Sequence, residues 1–195
     1  MATELEAVNT ILRAVGTSPV TAITASSPRQ VLLAQAEWQA TLKRMQSVGW
    51  HWNTLRTISN DPDPVTKQIA LPGTYLGVDV DPLGCDRELD VVKVSGVLFD
   101  RANDTDEFDS TLELIATIER PIDEIPQTFY EWAVAEATRR FHSATHGDPK
   151  RDRELRSDER DARAMARAEE MRTFDANALR YNKAVARRTY NNWKY

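Results

Sequence analysis

The last third of the chain, residues 123–195, constrains the fold most, because it is dense in helix-forming and charged residues and carries one clear break. That break is the Gly-Asp-Pro triplet at residues 147–149. Before it, aromatic and aliphatic residues recur at helical spacing through residues 126–146. After it, residues 150–171 are rich in Arg, Glu, Asp and Ala and have only a thin apolar stripe. A thin stripe suits a helix that packs on one side against a bundle or against another subunit.

The N-terminal part predicts two more helices. Thr3 and Glu6 have the spacing of a capping box, so a first helix is expected over residues 4–15. Ser27 precedes a proline and an apolar pattern that lasts to Gly49, which predicts a second helix there. Both carry apolar stripes, and the two helices are expected to form a hairpin.

Between the helices, the chain from residue 50 to residue 120 reads as short strands and turns. Ser95-Gly96 lies between two apolar runs and predicts a hairpin turn. The Asp-Pro-Asp-Pro run at residues 61–64 excludes regular structure. The strand candidates are 50–55, 67–71, 75–80, 89–94, 97–100 and 111–118.

These elements predict an α+β fold. The expected architecture is a four-helix bundle with a small antiparallel β-sheet domain inserted between helices two and three, and with a long C-terminal helix and tail. The expected division is a helical hairpin (1–49), a β insertion (50–122), helices three and four (123–188) and a docking tail (189–195). No internal repeat of 20–50 residues points to a solenoid.

Composition excludes several classes of protein. The single cysteine, Cys85, leaves no internal disulfide framework, and the N-terminal residues do not read as a secretory signal. No run approaches the roughly 18 apolar residues of a membrane helix, so no membrane partner is expected. Residues 150–195 hold 13 basic and 8 acidic residues, a net of +5, whereas the rest of the chain has a net of −10.

No catalytic or cofactor motif is present. The glycines do not have the spacing of a phosphate-binding loop, and no Gly-x-Ser-x-Gly elbow occurs. His142 and His146 have metal-ligand spacing, but Ser143 stands where a zincin would have its glutamate, and both histidines are expected to be exposed at a helix end. We therefore expect no enzyme activity, no cofactor and no metal.

The carboxylates of the middle region leave an alternative open. A glycan hydrolase acting on the cell wall would need two of them across a cleft, and the sequence does not exclude that arrangement. The preferred interpretation is an exposed acidic loop over residues 103–109. Its acidic side chains are Asp104, Asp106, Glu107 and Asp109.

The aromatic residues fall into two groups. Trp50, Phe129, Trp132 and Phe141 are expected in the core, since those of the third helix recur at helical spacing. The C-terminal segment combines large aromatics with arginines, the residues that anchor interfaces, and is expected to dock on a partner. Its docking candidates are Arg187, Arg188, Tyr190, Trp193 and Tyr195. A nucleic-acid-binding module working through this segment is a further alternative.

Four blocks of residues, in order along the chain, resemble the tail tubular protein A family of short-tailed bacteriophages. They cover most of residues 3–149, and the chain departs from the family pattern after Pro149. The blocks are Glu4-Leu5-x-Ala7-Val8-Asn9-x-Ile11-Leu12 leading to Gly16-x-x-Pro19-Val20; Ser47-x-Gly49-Trp50-x-x-Asn53; Phe99-Asp100-Arg101 followed by Phe108-Asp109-Ser110; and Asp123-Glu124-x-Pro126-x-x-Phe129-x-x-Trp132-x-Val134-x-x-Ala137-x-Arg139-x-Phe141.

The resemblance implies a structural protein of the virion tail, made in the host cytoplasm. Members of the family form a twelve-subunit ring, the adaptor or gatekeeper at the head-to-tail junction. They bind the portal protein above and the tail nozzle protein (tail tubular protein B) below, and DNA passes through the ring without specific recognition. In that setting the acidic side chains at 104, 106, 107 and 109 are candidates to line the DNA channel, because like charges would not grip the phosphates.

Overall fold

The structure, a computed structural model, describes residues 3–81 and 89–181, and side chains of the last helix up to Thr173. The described residues form an α+β fold, as the sequence predicts, with four helices and two small antiparallel sheets. The elements are α1 (Glu4–Ala14), α2 (Arg29–Gln46), β1 (Thr54–Asn60), β2 (Tyr75–Val80), β3 (Val91–Val94), β4 (Val97–Asp100), β5 (Leu112–Ile118), a 3-10 turn (Ile122–Glu124), α3 (Gln127–Thr145) and α4 (Pro149–Tyr181).

Helix α1 has both ends that the sequence predicts. The Thr3 hydroxyl accepts from the Glu6 N–H, and the Glu6 carboxylate accepts from the Thr3 N–H, which completes the capping box. At the other end Gly16 has φ +73°, and the N–H groups of Gly16 and Thr17 bond the carbonyls of Arg13 and Leu12. That pattern is a Schellman motif, which satisfies carbonyls left over at a helix C-terminus.

The chain divides into two compact units, and the division falls within α2. Unit 1 comprises residues 1–38 and 126–195, and unit 2 comprises residues 39–125. In unit 1, helix α3 packs against both α1 and α4. Its core contains side chains from all four helices, and Trp38 meets Tyr130 edge to face with ring centroids 5.5 Å apart. Fully buried members of this core include Ile11, Leu12, Val31, Trp38, Phe129 and Ala166.

Unit 2 holds both sheets. The larger one has strand order β1-β5-β2, with β5 paired antiparallel to each neighbour, and the smaller one is the β3-β4 hairpin. Residues of β5 alternate strictly between buried and half-buried, which places one face on a core. That core consists of Ile69, Leu71, Val91, Leu98, Phe108, Leu112 and Leu114.

The predicted hairpin turn at residues 95–96 is confirmed. Ser95 has φ +51° and Gly96 has φ +86°, and Val94 pairs with Val97 in the ladder. Positive φ at both central residues is the signature of a type I′ turn, whose twist matches the flanking strands.

Two strand predictions are wrong in whole or in part. Residues 50–53 form a turn, because the Asn53 side chain accepts from the Trp50 N–H at 2.7 Å and so competes with a ladder; strand β1 begins only at Thr54. Residues 67–71 do not form a strand and have a single β-bridge, between Ala70 and Val97, since the Lys67 backbone is in the left-handed region at φ +57°.

Candidate interaction surface

Helices α3 and α4 form an antiparallel hairpin in unit 1. Asp148 caps α4 through its carboxylate, which accepts from the Lys150 N–H at 3.0 Å. Farther along, Arg139 bonds Glu159 and Thr128 bonds Glu169. These pairs fix the register between the two helices.

The hairpin leaves the end of α4 without an α3 residue opposite it. In an antiparallel hairpin, residues at the same level have a nearly constant sum of residue numbers. The two pairs above give sums of 298 and 297, so Glu170 lies near the level of Gln127, the first residue of α3. Helix α4 continues to Tyr181. At about 1.5 Å per residue, the last turns extend roughly 15 Å farther along the helix axis.

One seam of α4 faces α3 and is built from small and acidic residues. Leu155 and Ala166 are buried, and the residues between and after them along the seam are half-buried. The spacing alternates between three and four residues, as in a coiled coil. The seam residues are Leu155, Glu159, Ala162, Ala166 and Glu169.

A row of exposed arginines runs along one side of that seam, and we call it the basic flank. Its members also recur at three- and four-residue spacing, so they stack on one side of the helix over roughly 21 Å. Arg163 lies over the ring of Trp132 with 5.5 Å to the centroid. With Arg139 and Glu159, the first four members line a cleft of about 650 Å³. The basic flank consists of Arg153, Arg156, Arg160, Arg163 and Arg167.

The other side of α4 carries exposed carboxylates, and we call Glu154, Asp158 and Asp161 the acidic flank. At about 100° per residue, the centres of the two flanks lie roughly 150° apart around the helix. The next position along the acidic flank is Met165, which is 62% exposed. Between residues 153 and 167, helix α4 is therefore segregated by charge, with opposite signs on two opposed sides.

The acidic flank borders a second, more apolar groove between α1, α3 and α4. The groove has a volume of about 410 Å³. Tyr130 lies on its wall, and burial together with the charge of Glu6 raises the pKa of that phenol. The other lining residues include Ala14, Val134, Ala135, Thr138, Leu155 and Asp158.

The two histidines of α3 differ from the expectation. His146 is exposed, but His142 is buried, so the prediction that both are exposed is wrong. Their rings stack with centroids 5.9 Å apart and planes 9° apart. His142 comes directly after Phe141 in the chain and, like it, lies on the buried face of the helix. Within residues 3–81 and 89–181, no group of three or more potential ligands could hold a metal ion.

The acidic loop of unit 2 is held by hydrogen bonds at its middle and at its C-terminal end. Asp109 receives a hydrogen bond from Lys67 at 2.6 Å, and this bond and the lysine's charge lower the pKa of the Asp109 carboxyl. Asp106 accepts from Gln68 at 2.6 Å. Asp104, Glu107 and Asp109 are exposed. The loop thus presents three exposed carboxylates, and Lys67 offsets the charge of Asp109.

The four aromatic residues expected in the core are buried. Phe129 is completely enclosed, and Trp132, Phe141 and Trp50 are each less than a tenth exposed. The Trp50 indole N–H donates to the Met45 carbonyl at 2.7 Å. The docking candidates Arg187, Arg188, Tyr190, Trp193 and Tyr195, like Cys85, lie outside the described residues.

Sequence reasoning missed the charge segregation of α4. It gave the net charge of the last part of the chain, but it did not assign each charge to a side of the helix. The signal was present, because the arginines at 153, 156, 160, 163 and 167 repeat at 3, 4, 3 and 4 residues. Applying helical periodicity to charged residues as well as to apolar ones would have found it.

Comparison with known proteins is consistent with this architecture. The family model described as tail tubular protein matches residues 5–176, which is most of the chain. No curated protein matches the chain. Among the described residues, no helix has the length and apolar character needed to cross a membrane. The chain belongs to the tail tubular protein family, and it is a structural component of the bacteriophage virion tail.

Proposed function

We propose that the chain is the ring-forming adaptor that joins the phage portal to the tail nozzle. Family membership over residues 5–176 is the observation that carries the proposal. The resemblance of the ordered motif blocks to tail tubular protein A supplies the position in the tail. The partners are further copies of this chain, twelve in the ring, together with the portal protein above and the nozzle protein below.

The role is structural, and the chain carries out no catalysis. Polar side chains of the kind that can act in catalysis stabilise the fold here. Asp100 bonds the backbone next to the acidic loop, and Asn53 holds a turn. Two carboxylates of the acidic loop, Asp109 and Asp106, accept hydrogen bonds from Lys67 and Gln68. These contacts support an assembly protein over a hydrolase.

The acidic side chains of the loop, Asp104, Asp106, Glu107 and Asp109, line the DNA channel. A negative wall repels phosphates at short range, so DNA slides without being gripped. Substituting Asp104 and Glu107 with lysine would slow the passage of DNA through assembled particles. DNA release at an unchanged rate from such particles would remove this assignment.

The finer architecture is part of the same proposal. The helices form a four-helix bundle, and the β region is an insertion between its second and third helices. The packing of α3 on both α1 and α4 supports the bundle. The position of unit 2 within the chain, between two parts of unit 1, supports the insertion.

The test is the mass of the protein by light scattering, alone and mixed with its cognate portal. The adaptor role predicts a portal complex that contains many copies of this chain. A monomer alone is compatible with it, because adaptors can oligomerise on the portal. A chain that binds neither the portal nor the nozzle protein would refute the proposal.

A further inference from the structure

Helix α4 has charges of opposite sign on two opposed sides, an arrangement that suits a head-to-tail contact between copies. The basic flank and the acidic flank lie on opposed sides, both exposed, and α3 covers the seam that separates them on one side. A surface that contacts itself across a two-fold axis would bring like charges together. Opposite charges on opposed sides instead favour a heterologous contact between copies.

We infer that the basic flank of one copy binds the acidic flank of the next copy in the ring. This inference rests on the proposed ring and identifies the contact that closes it. Arg156 and Arg160 of one α4 lie against Asp158 and Asp161 of its neighbour. Met165, exposed in the single chain, is covered in the same contact.

The position of the charges along α4 fits a closed ring. Rotation about a ring axis keeps equivalent residues of all copies at one height. The acidic flank runs from residue 154 to residue 161 and the basic flank from residue 153 to residue 167. With α4 parallel to the ring axis, the two flanks overlap in level without a shift along the axis, as a contact repeated by pure rotation requires.

Ion pairs among the described residues neutralise only part of each flank. Arg156 bonds Asp152 at 3.1 Å, and Glu154 bonds Arg151 at 2.8 Å. Arg153, Arg167 and Asp158 form no ion pair in the described part of the chain. Asp161 lies 3.6 Å from Arg160, and both side chains are more than half exposed. The charges that remain are available to a second copy.

A second copy explains the surface better than a nucleic acid does. DNA would account for the basic flank, but it leaves the acidic flank and the exposed Met165 without a role. Phosphates would also be repelled by the carboxylates that share the helix. Only a partner that carries both signs at the same spacing fits both sides, and this chain itself is such a partner.

The experiment uses two full-length double variants. Arg156→Glu with Arg160→Glu places negative charges opposite Asp158 and Asp161 of the neighbouring copy, and Asp158→Arg with Asp161→Arg places positive charges opposite its Arg156 and Arg160. Each variant alone should self-associate at least about tenfold more weakly than the wild type at low ionic strength, because like charges then face each other. An equimolar mixture should associate again, since the two variants can alternate around a ring. Sedimentation velocity measures all three.

Two controls make the result interpretable. Arg13→Glu with Arg29→Glu changes the net charge by the same amount at exposed positions on α1 and α2, and should leave self-association unchanged. Thermal unfolding of each variant should match that of the wild type, which shows that the helices remain folded. The variant with all four substitutions restores opposite charges at the paired positions and should associate with itself.

Two results of the association experiment would overturn the inference. They are reversed variants that associate as well as the wild type and a mixture that fails to recover association. For a wild type that is monomeric alone, the same comparison is made on the portal. Duplex DNA bound by the wild type and lost with Arg156→Glu and Arg160→Glu, without any change in self-association, would assign the basic flank to nucleic acid instead. In any of these cases, a chain that still assembles on the portal leaves the adaptor role intact.

Discussion

The side-chain amide of Gln46 forms two hydrogen bonds with the backbone of Arg120, one with its N–H and one with its carbonyl. Its amide nitrogen donates to the Arg120 carbonyl at 3.1 Å, and its amide oxygen accepts from the Arg120 N–H at 2.7 Å. Gln46 thereby acts as one residue of a neighbouring strand, at the point where β5 has ended. Asn53 adds to this arrangement by donating to the carbonyls of Gln46 and Ile118.

Replacing Gln46 with alanine should lower the free energy of unfolding by about 2–4 kcal/mol, because the Arg120 N–H and carbonyl would both lose a partner in a largely buried place. Urea denaturation measures the change. Gln30→Ala, at an exposed position of α2, serves as the control and should stay within about 0.5 kcal/mol of the wild type. Equal effects of the two substitutions would show that the bonds to Arg120 contribute nothing.

Gly49→Ala should destabilise the protein for two reasons that can be separated. Gly49 has φ +82°, and an added Cβ would lie 2.9 Å from the Thr117 hydroxyl oxygen. Gly16 has φ +73° with open space around it, so Gly16→Ala should cost only the backbone strain, about 1 kcal/mol.

Gly49→Ala should therefore cost more than Gly16→Ala, and Thr117→Ala should recover the difference by removing the contact. A thermal melt of the two single variants and of the Gly49→Ala, Thr117→Ala pair tests this. Identical costs at the two glycines would mean that Thr117 moves aside freely.

The stabilisation that Asp100 supplies should depend on pH. Burial raises the pKa of its carboxyl, but hydrogen bonds from Asn103, Ala102 and Asp90 outweigh burial, and the net pKa lies below the ordinary 3.8. The folded state therefore favours the ionised form. The contribution is complete above the unfolded-state pKa, near pH 4, and is lost as the pH falls through the lower folded-state pKa.

Asp100→Asn should thus cost about 1–3 kcal/mol at pH 7, and the difference from the wild type should shrink below pH 4. Urea denaturation at pH 7, 4 and 3 follows it. Asp104→Asn, at an exposed position of the same loop, should change little at pH 7. A difference that persists at pH 3 would show that shape, and not charge, accounts for the role of Asp100.

Trp132 and Arg163 should differ in their contributions to the α3–α4 hairpin. Trp132 is 6% exposed, so Trp132→Ala should cost about 3–5 kcal/mol through the cavity that it leaves. Arg163 only covers the ring from the solvent side, and Arg163→Ala should cost about 0.5–1 kcal/mol. Chemical denaturation of both variants decides the order. A larger loss from Arg163→Ala would place the main stabilisation on the surface of the hairpin.

The helices could be predicted from the sequence because their signals are local. Thr3 and Glu6 cap α1 within one turn, and Asp148 caps α4 in the same way. The hairpin turn at Ser95 and Gly96 is also local, since both residues take positive φ. In each case a few neighbouring residues contain all the information that the element needs.

The errors lie where distant contacts decide the conformation. Trp50 to Asn53 alternate as a strand would, yet the Asn53 side chain accepts from the Trp50 N–H and forms a turn. The same side chain donates to a carbonyl 65 residues away, at Ile118, which holds the turn in place. His142 follows a buried phenylalanine and is itself buried, although histidine at a helix end suggests exposure. The division of charge on α4 could have been predicted, because it depends only on helical periodicity.

Removing residues 189–195 should leave the folded units unchanged and weaken assembly. These residues combine aromatic side chains with a lysine, a composition that suits an anchor on a partner. The thermal midpoint should stay at the wild-type value, and the complex with the portal should weaken. The full-length variant Tyr190→Ala, Trp193→Ala, Tyr195→Ala should weaken it similarly, which separates the aromatic side chains from chain length. A truncated protein that melts earlier would show that these residues belong to the core, and one that binds the portal normally would show that the anchor lies elsewhere.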